Sequence, residues 1–347
     1  MIINKNFFNK KIKLKNKEIS IKSSKVYVIA EAGVSHFGSL RLAKKLVDIS
    51  VNAGADAVKF QAYITEDLVS KNFIKWFKRY KAKEVNLDFL QKIKNYCKRK
   101  GVDFLCTPHT SSVIPWIKKL NLSAIKVGSG EIGNFLFLKE LISLNKPIIL
   151  SLGMHNYDDI KELKKFFVKE KFKKLVLLNC TTIYPSKNKD LNILAIRELK
   201  NIFGDIIIGY SDHTDDDLAC ISSVALGARV IEKHISVKFN VKNAQDWKVS
   251  FDVIKLRSMI KKIREQEIML QTKKNLSSKN ELKQKLWATK SIYVKNKIKK
   301  NSKILLSDLK FLRPGNGIPC SKINLIINKL AKKNLPKNYK IKIQDFR

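Results

Sequence analysis

The chain has 347 residues, 44% of them hydrophobic, which is enough for one large and one small domain and excludes a disordered or fibrous polymer. Lys and Arg total 70 against 30 Asp and Glu, a formal charge of +40; the excess is nearly all lysine spread along the whole length, without the grouped arginines and stacking aromatics of nucleic-acid surfaces, so a nucleic-acid partner is not expected. No apolar run reaches the roughly 18 residues that span a bilayer, and five cysteines with no C-x-x-C pair exclude a disulfide framework or zinc knuckle, so a cytoplasmic protein without membrane contact is expected.

Residues 1–25 read as a basic N-terminal extension. From residue 26 to 271, short apolar runs alternate with longer amphipathic segments, the pattern of a parallel sheet with crossover helices. Eight strands are predicted: Val26–Ala30, Ala57–Phe60, Val102–Cys106, Ala124–Val127, Pro147–Leu150, Leu175–Leu178, Ile206–Gly209, and Arg229–Ile231 running on to His234. Between them, Leu40–Ala53 carries apolar residues at 42, 46, 49 and 53, a helical period that Gly54 closes. Eight βα units in this length match a (β/α)8 TIM barrel, whose function gathers at the carboxyl ends of the strands. An open doubly wound sheet is the alternative, but Glu31-Ala32-Gly33-Val34-Ser35-His36 is not the Gly-rich phosphate turn expected after its first strand. A linker is expected over 272–285. A small β-rich domain follows over 286–347, with a strand at Ser291–Val294 and the loop Arg313-Pro314-Gly315-Asn316-Gly317.

The strand endings are polar: Glu31 and His36; Lys59 and Gln61; Thr107 and His109; Lys126, Ser129 and Glu131; Ser151 and His155; Thr182 and Tyr184; Ser211, Asp212 and His213; Glu232 and His234. All five histidines are among them. His213 and His234 end neighbouring strands of a closed barrel and can meet over its mouth; two imidazoles with open positions suit Mn²⁺ or Mg²⁺ better than zinc, and a hydrogen-bonded pair without metal is the alternative. Alternation along a strand turns Asp212 away and favours Glu232 as the carboxylate orienting an imidazole. Lys59 and Lys126 sit in apolar strands where an unpaired ammonium is costly, so they call for an anion or, alternatively, one forms a Schiff base. Ser129, Ser151, Thr182 and Ser211 add hydroxyl donors for a phosphorylated or carboxylated small molecule. Glu131, beside a glycine pair, is placed for acid–base work or for a structural pair with a lysine, and Cys180 reads as packing.

In order along the chain stand "EAGVSHFGSL", "GADAVKFQ", "KVGSGEI", "LSLGM", "CTTIYP", "GYSDHT", "IEKHI" and "RPGNGIP". With these motifs the chain resembles the sialic acid synthase family, a barrel followed by an antifreeze-like (SAF) domain, over nearly its whole length after residue 25. The resemblance implies metal-dependent condensation of phosphoenolpyruvate with an open-chain N-acetylated hexose: C3 of phosphoenolpyruvate attacks the aldehyde, water adds at C2, and phosphate leaves by C–O cleavage to give a nine-carbon 2-keto acid. A legionaminate or pseudaminate synthase using a diacetamido-trideoxyhexose is the close alternative. It further implies His213 and His234 as metal ligands and Glu131 as the catalytic carboxylate. Lys59, Lys126, Ser129, Ser151 and Ser211 hold phosphoenolpyruvate, with Thr107 and Thr182 beside them. Glu31, Gln61, Tyr184 and Asp246 face the sugar, and Arg313 reaches the barrel of a partner chain in a domain-swapped homodimer. Ser35, Thr110, Asn179, Trp247 and Thr289-Lys290 depart from the family pattern, mostly toward the sugar side. A reading from another class makes the chain a lysine-rich polyanion or glycan binder.

Overall fold

The computed structural model describes residues 6–15, 17–241, 246–271 and 277–347, and the chain divides into two compact units, Met1–Gln271 and Thr272–Arg347. The first unit opens with an antiparallel hairpin of β1 (Lys11–Lys13) and β2 (Glu18–Ser20). Eight strands then follow: β3 (Tyr27–Gly33), β4 (Ala57–Ala62), β5 (Asp103–Pro108), β6 (Ile125–Val127), β7 (Ile148–Ser151), β8 (Leu175–Cys180), β9 (Ile207–Asp212) and β10 (Val230–His234). They close into a parallel barrel in which β10 pairs back onto β3.

Two-residue alternation sorts every strand into a wall that faces helices and a wall that faces the barrel axis. Val28, Val58, Phe60, Ile125 and Ile208 belong to the larger core under the helices, whereas Ile29, Ala57, Leu105, Ile149, Val176 and Val230 fill the interior. Ile12, Leu14 and Ile19 of the hairpin join that interior cluster and are buried to 3% exposure or less. The N-terminal segment is therefore a plug for the barrel end opposite the carboxyl ends of the strands. Strands of three residues show too little periodicity to have revealed this.

The helix Leu40–Ala53 forms as predicted: Ser39 caps the N–H of Leu42, and Gly54 ends it at φ +85°, where only glycine sits without strain. Its buried stripe runs through Leu42, Ala43, Leu46, Val47, Ser50 and Ala53, so Ile49 is only partly covered.

In the second unit, β11 (Ser291–Val294) pairs antiparallel with β12 (Leu309–Leu312), and Ile292, Val294, Ile298, Ile304, Ile326 and Leu335 make a separate core. The linker expected over 272–285 lies partly outside the described residues, and its later part belongs to a helix, Lys279–Ala288, closed at its start by a capping box between Ser278 and Glu281. Among the described residues no helix is long and apolar enough to cross a membrane.

Candidate active site

The inward parity that fills the barrel with Ile29, Ala57, Leu105, Ile149, Leu178 and Val230 continues upward into polar side chains. Glu31 stands above Ile29, Lys59 and Gln61 above Ala57, Thr107 above Leu105, Ser151 above Ile149, Cys180 above Leu178, and Glu232 and His234 above Val230. With Lys126, Ser211 and His213 they line a cavity of about 310 Å³ at the carboxyl end of the barrel, and Ser129, Thr182, Tyr184 and Asp246 add to its wall. Gly153 allows part of this convergence: a Cβ there would lie 2.1 Å from Thr182 Oγ1 and 2.9 Å from Ser129 Oγ, and its own N–H donates to Ser129 Oγ at 2.9 Å.

The floor is a charge-balanced lattice. Lys59 Nζ lies 2.8 Å from Glu31 Oε2, donates to Thr107 Oγ1 at 3.1 Å, and is 3.8 Å from Glu232 Oε1. Lys126 Nζ donates to Ser151 Oγ at 2.7 Å and to the carbonyl of Val127 at 3.0 Å, and is also 3.8 Å from Glu232 Oε1. Each lysine is at most 3% exposed, so the anion that burial demands is supplied inside the protein by two carboxylates. Burial works to lower both ammonium groups, yet Glu232 and Glu31 carry Lys59 above its ordinary value, while Lys126, only partly offset by Glu232 and opposed by Lys59, is held below. Burial also raises the Glu31 carboxyl; for Glu232 the same burial is outweighed by Lys126 and Lys59, which hold it ionised.

Beside this floor the two imidazoles of His213 and His234 stand 5.2 Å apart between ring centroids. His213 Nδ1 lies 2.7 Å from the carbonyl oxygen of Thr181, an acceptor only, so this nitrogen carries a proton and, in the neutral ring, Nε2 holds the lone pair. Tyr184 lies 2.8 Å from that Nε2 and, with its phenol kept protonated by burial, donates to it. His234 Nδ1 is buried with no hydrogen-bond partner, and burial depresses the ring below its ordinary value, against the pull of Asp246 and Glu232, so the imidazole is neutral near pH 7. Among the described residues no three His, Cys, Asp or Glu side chains cluster at metal-ligand spacing. Two facing imidazoles, one held by the Thr181 carbonyl through Nδ1 and one with an orphaned ring nitrogen, fit a hard divalent ion that takes its other ligands from water and substrate. Alternation along β10 favours Glu232 as the carboxylate orienting an imidazole, and the structure corrects this: Glu232 accepts from Ser211 Oγ at 3.1 Å and serves the lysines. Asp212 faces the outer wall, where it pairs with Lys233.

Of the five histidines only three, His109, His213 and His234, line the cavity. His36 accepts from the N–H of Gly38 and packs between Phe60 and Phe89, and His155 contacts the carbonyl of Gly153. Cys180, read from sequence as packing, faces the cavity 3.7 Å from His213 Nδ1; the two-residue period of β8 through Leu178 was the signal for it. Glu131 is half-buried, and its carboxylate accepts from the Asn134 side-chain amide at 2.8 Å; Gly128, Ser129 and Gly130 line the cavity, but Glu131 does not. Arg313 belongs to the second unit, where its guanidinium stacks 5.1 Å from the centre of the Trp287 ring. Ser35, Thr110, Asn179 and Trp247 do not line the cavity: Asn179 donates to the carbonyl of Asn192 and Trp247 to that of Val241. These four positions therefore lie outside the cavity lining, Ser35 and Trp247 next to the lining residues Val34 and Asp246.

The sequence reading missed the rim supplied by the long connection between β4 and β5. There Trp76, Arg79, Tyr80 and Lys83 line the cavity from the helix Ile74–Lys81 and the turn after it, with Arg79 stacked 4.9 Å over Trp76. Their spacing puts aromatic and basic residues on one helical face, a signal that was present in the sequence.

A closed (β/α)8 barrel with charged, buried and mutually bonded groups at the carboxyl ends of its strands defines a barrel enzyme. The chain belongs to the NeuB family, whose model matches residues 46–275, and a SAF domain matches residues 289–347. It is 35% identical over 325 residues to the N,N'-diacetyllegionaminic acid synthase of Campylobacter jejuni, covering 89% of this chain and 97% of that protein. To a pseudaminic acid synthase of the same species it is 30% identical over 336 residues, covering 93% of this chain and 97% of the relative. Among solved structures it is similar to the N-acetylneuraminic acid synthetase of Leptospira borgpetersenii in complex with citrate, with TM-score 0.73 and 29% identity over 79% of this chain and 94% of that one.

Proposed function

We propose that this enzyme condenses phosphoenolpyruvate with an open-chain N-acetylated hexose, N-acetylmannosamine-like, to a nine-carbon 2-keto sugar acid and releases phosphate. The observation that carries this reading is the joining, in one cavity, of two buried lysines with their serine and threonine hydroxyls to a pair of facing imidazoles. Lys59, Lys126, Ser129, Ser151, Ser211, Thr107 and Thr182 hold the phosphate and carboxylate. Thr182 Oγ1 is buried without a partner and is free to take one. As substrate anions enter, Lys59 and Lys126 turn from Glu31 and Glu232 toward them, in a site where such contacts are strengthened by exclusion of water. His213 and His234 hold Mn²⁺ or Mg²⁺ in this reading, and the ion when bound supplies Lewis-acid polarisation of the sugar aldehyde.

Glu31, Gln61, Tyr184 and Asp246 form the sugar side, where Gln61 Nε2 donates to Glu31 Oε1 at 3.0 Å. Glu131 serves as the carboxylate at the addition of water, for which it must exchange the Asn134 amide for the cavity; burial, stronger than that hydrogen bond, lifts its pKa toward the range useful for proton transfer. Arg313 contributes from the second copy of a cytoplasmic homodimer.

A second acceptor, a diacetamido-trideoxyhexose, is favoured by the higher identity to the legionaminic relative, 35% against 29% for the N-acetylneuraminic one. Both are tested by phosphate release from phosphoenolpyruvate with Mn²⁺ or Mg²⁺ and either sugar, with mass spectrometry of the product. Absence of turnover with every acceptor overturns the reading.

A further inference from the structure

The register of β9 and β10 pairs Asp212 with Lys233, and this is the last pair of their ladder. Each stands one residue before a cavity imidazole, so beyond this point no ladder bond fixes His213 relative to His234. On the outer wall Lys233 Nζ lies 2.5 Å from Asp212 Oδ2 and donates to the carbonyls of Thr214 at 2.7 Å and Asp216 at 3.1 Å. Three ammonium protons thus meet three oxygens, both side chains are fully buried at 0% exposure, and Thr214 Oγ1 donates to the same carboxylate oxygen at 2.8 Å. The ring of Phe251 covers the ammonium at 4.3 Å, and its N–H donates to the carbonyl of His234 at 2.8 Å. The turn after His213 and the backbone of His234 are therefore tied to one charge pair.

A buried ion pair is a poor way merely to fill space, since well-packed apolar residues in its place are often as stable or more so. What it supplies here is direction: it fixes the separation of two strand ends where the ladder has stopped. We propose that Asp212 and Lys233 are positioning residues that set the spacing and orientation of His213 and His234 for a divalent ion, an inference that rests on the metal reading given above.

The test is Mn²⁺ binding to the full chain, followed by the electron paramagnetic resonance of free Mn²⁺, in wild type, in Asp212→Leu/Lys233→Met and in Asp212→Asn. The apolar pair is expected to melt at or above the wild-type temperature yet bind Mn²⁺ at least tenfold more weakly. Asp212→Asn, which keeps an oxygen for the ammonium, is expected to lose about threefold and carries the decision should the double variant not fold. Wild-type affinity in a folded variant overturns the proposal and leaves the pair a packing device. If the wild type itself binds no Mn²⁺, the metal reading fails instead. The histidine ring resonances in NMR then decide the positioning: shifts unchanged by Asp212→Leu/Lys233→Met overturn it as well.

Discussion

Tyr184 donates to Nε2 of His213 at 2.8 Å with its ring stacked 4.1 Å over the imidazole, and so occupies the one nitrogen of His213 that carries a lone pair. An ion bound there must displace the hydroxyl. Tyr184→Phe removes a competitor with a net strength of about 1 kcal/mol, so Mn²⁺ binding is expected to tighten roughly fivefold. The sugar KM should rise in the same variant, since Tyr184 lines the cavity. Titration with Mn²⁺ against the wild type checks this; weaker binding would mean that the phenol supports the ion and does not compete with it.

Glu232 neutralises both floor lysines from 3.8 Å while accepting from Ser211. Glu232→Gln leaves a buried positive charge without its counterion, a change that costs about 3–5 kcal/mol when one partner of a buried pair is lost. The variant is expected to melt several degrees lower. Phosphoenolpyruvate, as an anion, should recover more of that loss than it adds to the wild type, and thermal denaturation with and without the ligand reads the difference. Equal ligand shifts in the two proteins would detach Glu232 from the anion site.

How far the site was legible follows from strand parity. The eight strands were readable as apolar runs, and residues two or four beyond an inward apolar residue were readable as the mouth: Lys59, Thr107, Ser151, Glu232 and His234 all obey that rule. Asp212 facing outward follows from the same rule. His36 and Glu131 failed because they lie in turns beyond the strands, where no period fixes direction. The hairpin plug failed because a strand of three residues has only one inward side chain, Ile12 or Ile19, to show. The rim helix Ile74–Lys81 has no buried residue and so no core stripe; its one-sided signal, Trp76, Arg79 and Tyr80 with Lys83 after them, marks a cavity face and is legible only once the barrel mouth is placed beside it.

The hairpin makes a separable prediction. Ile19 is 1% exposed in the barrel plug, so Ile19→Ala should cost about 2–5 kcal/mol of unfolding free energy. The plug and the cavity close opposite ends of the barrel, and kcat should stay within about twofold. Urea denaturation and steady-state rates together check this; a large fall in kcat with little loss of stability would refute the separation.

Stability should fall with acidification above the usual carboxylate range. His36 and His109 are depressed to about 4 by burial, with Lys83 adding to the effect on the first, and Lys59 and Lys126 on the second. Unfolded imidazoles titrate near pH 6.5. Between about pH 6.5 and 4 the unfolded chain therefore binds protons that the folded chain refuses, and each group removes up to about 1.4 kcal/mol per pH unit as the pH falls. His36→Gln should flatten the pH dependence of the urea midpoint over this window, and an unchanged slope would contradict the assignment.

Lys126 separates the proposed chemistry from a Schiff-base aldolase on the same barrel. Its amine is held below the ordinary lysine value by burial, which taken alone favours a nucleophile. Its hydrogen bonds argue otherwise: Nζ donates to Ser151 Oγ and the Val127 carbonyl, and Glu232 lies 3.8 Å away, an arrangement that uses protons an imine-forming amine must give up. Borohydride with pyruvate is therefore expected to leave the mass of the protein unchanged. Lys126→Met should abolish phosphoenolpyruvate binding, and Lys126→Arg should restore part of it, because a cation suffices for an anion contact whereas an imine needs an amine. A pyruvyl adduct trapped on Lys126 or Lys59 would reverse the conclusion and move the enzyme to covalent catalysis.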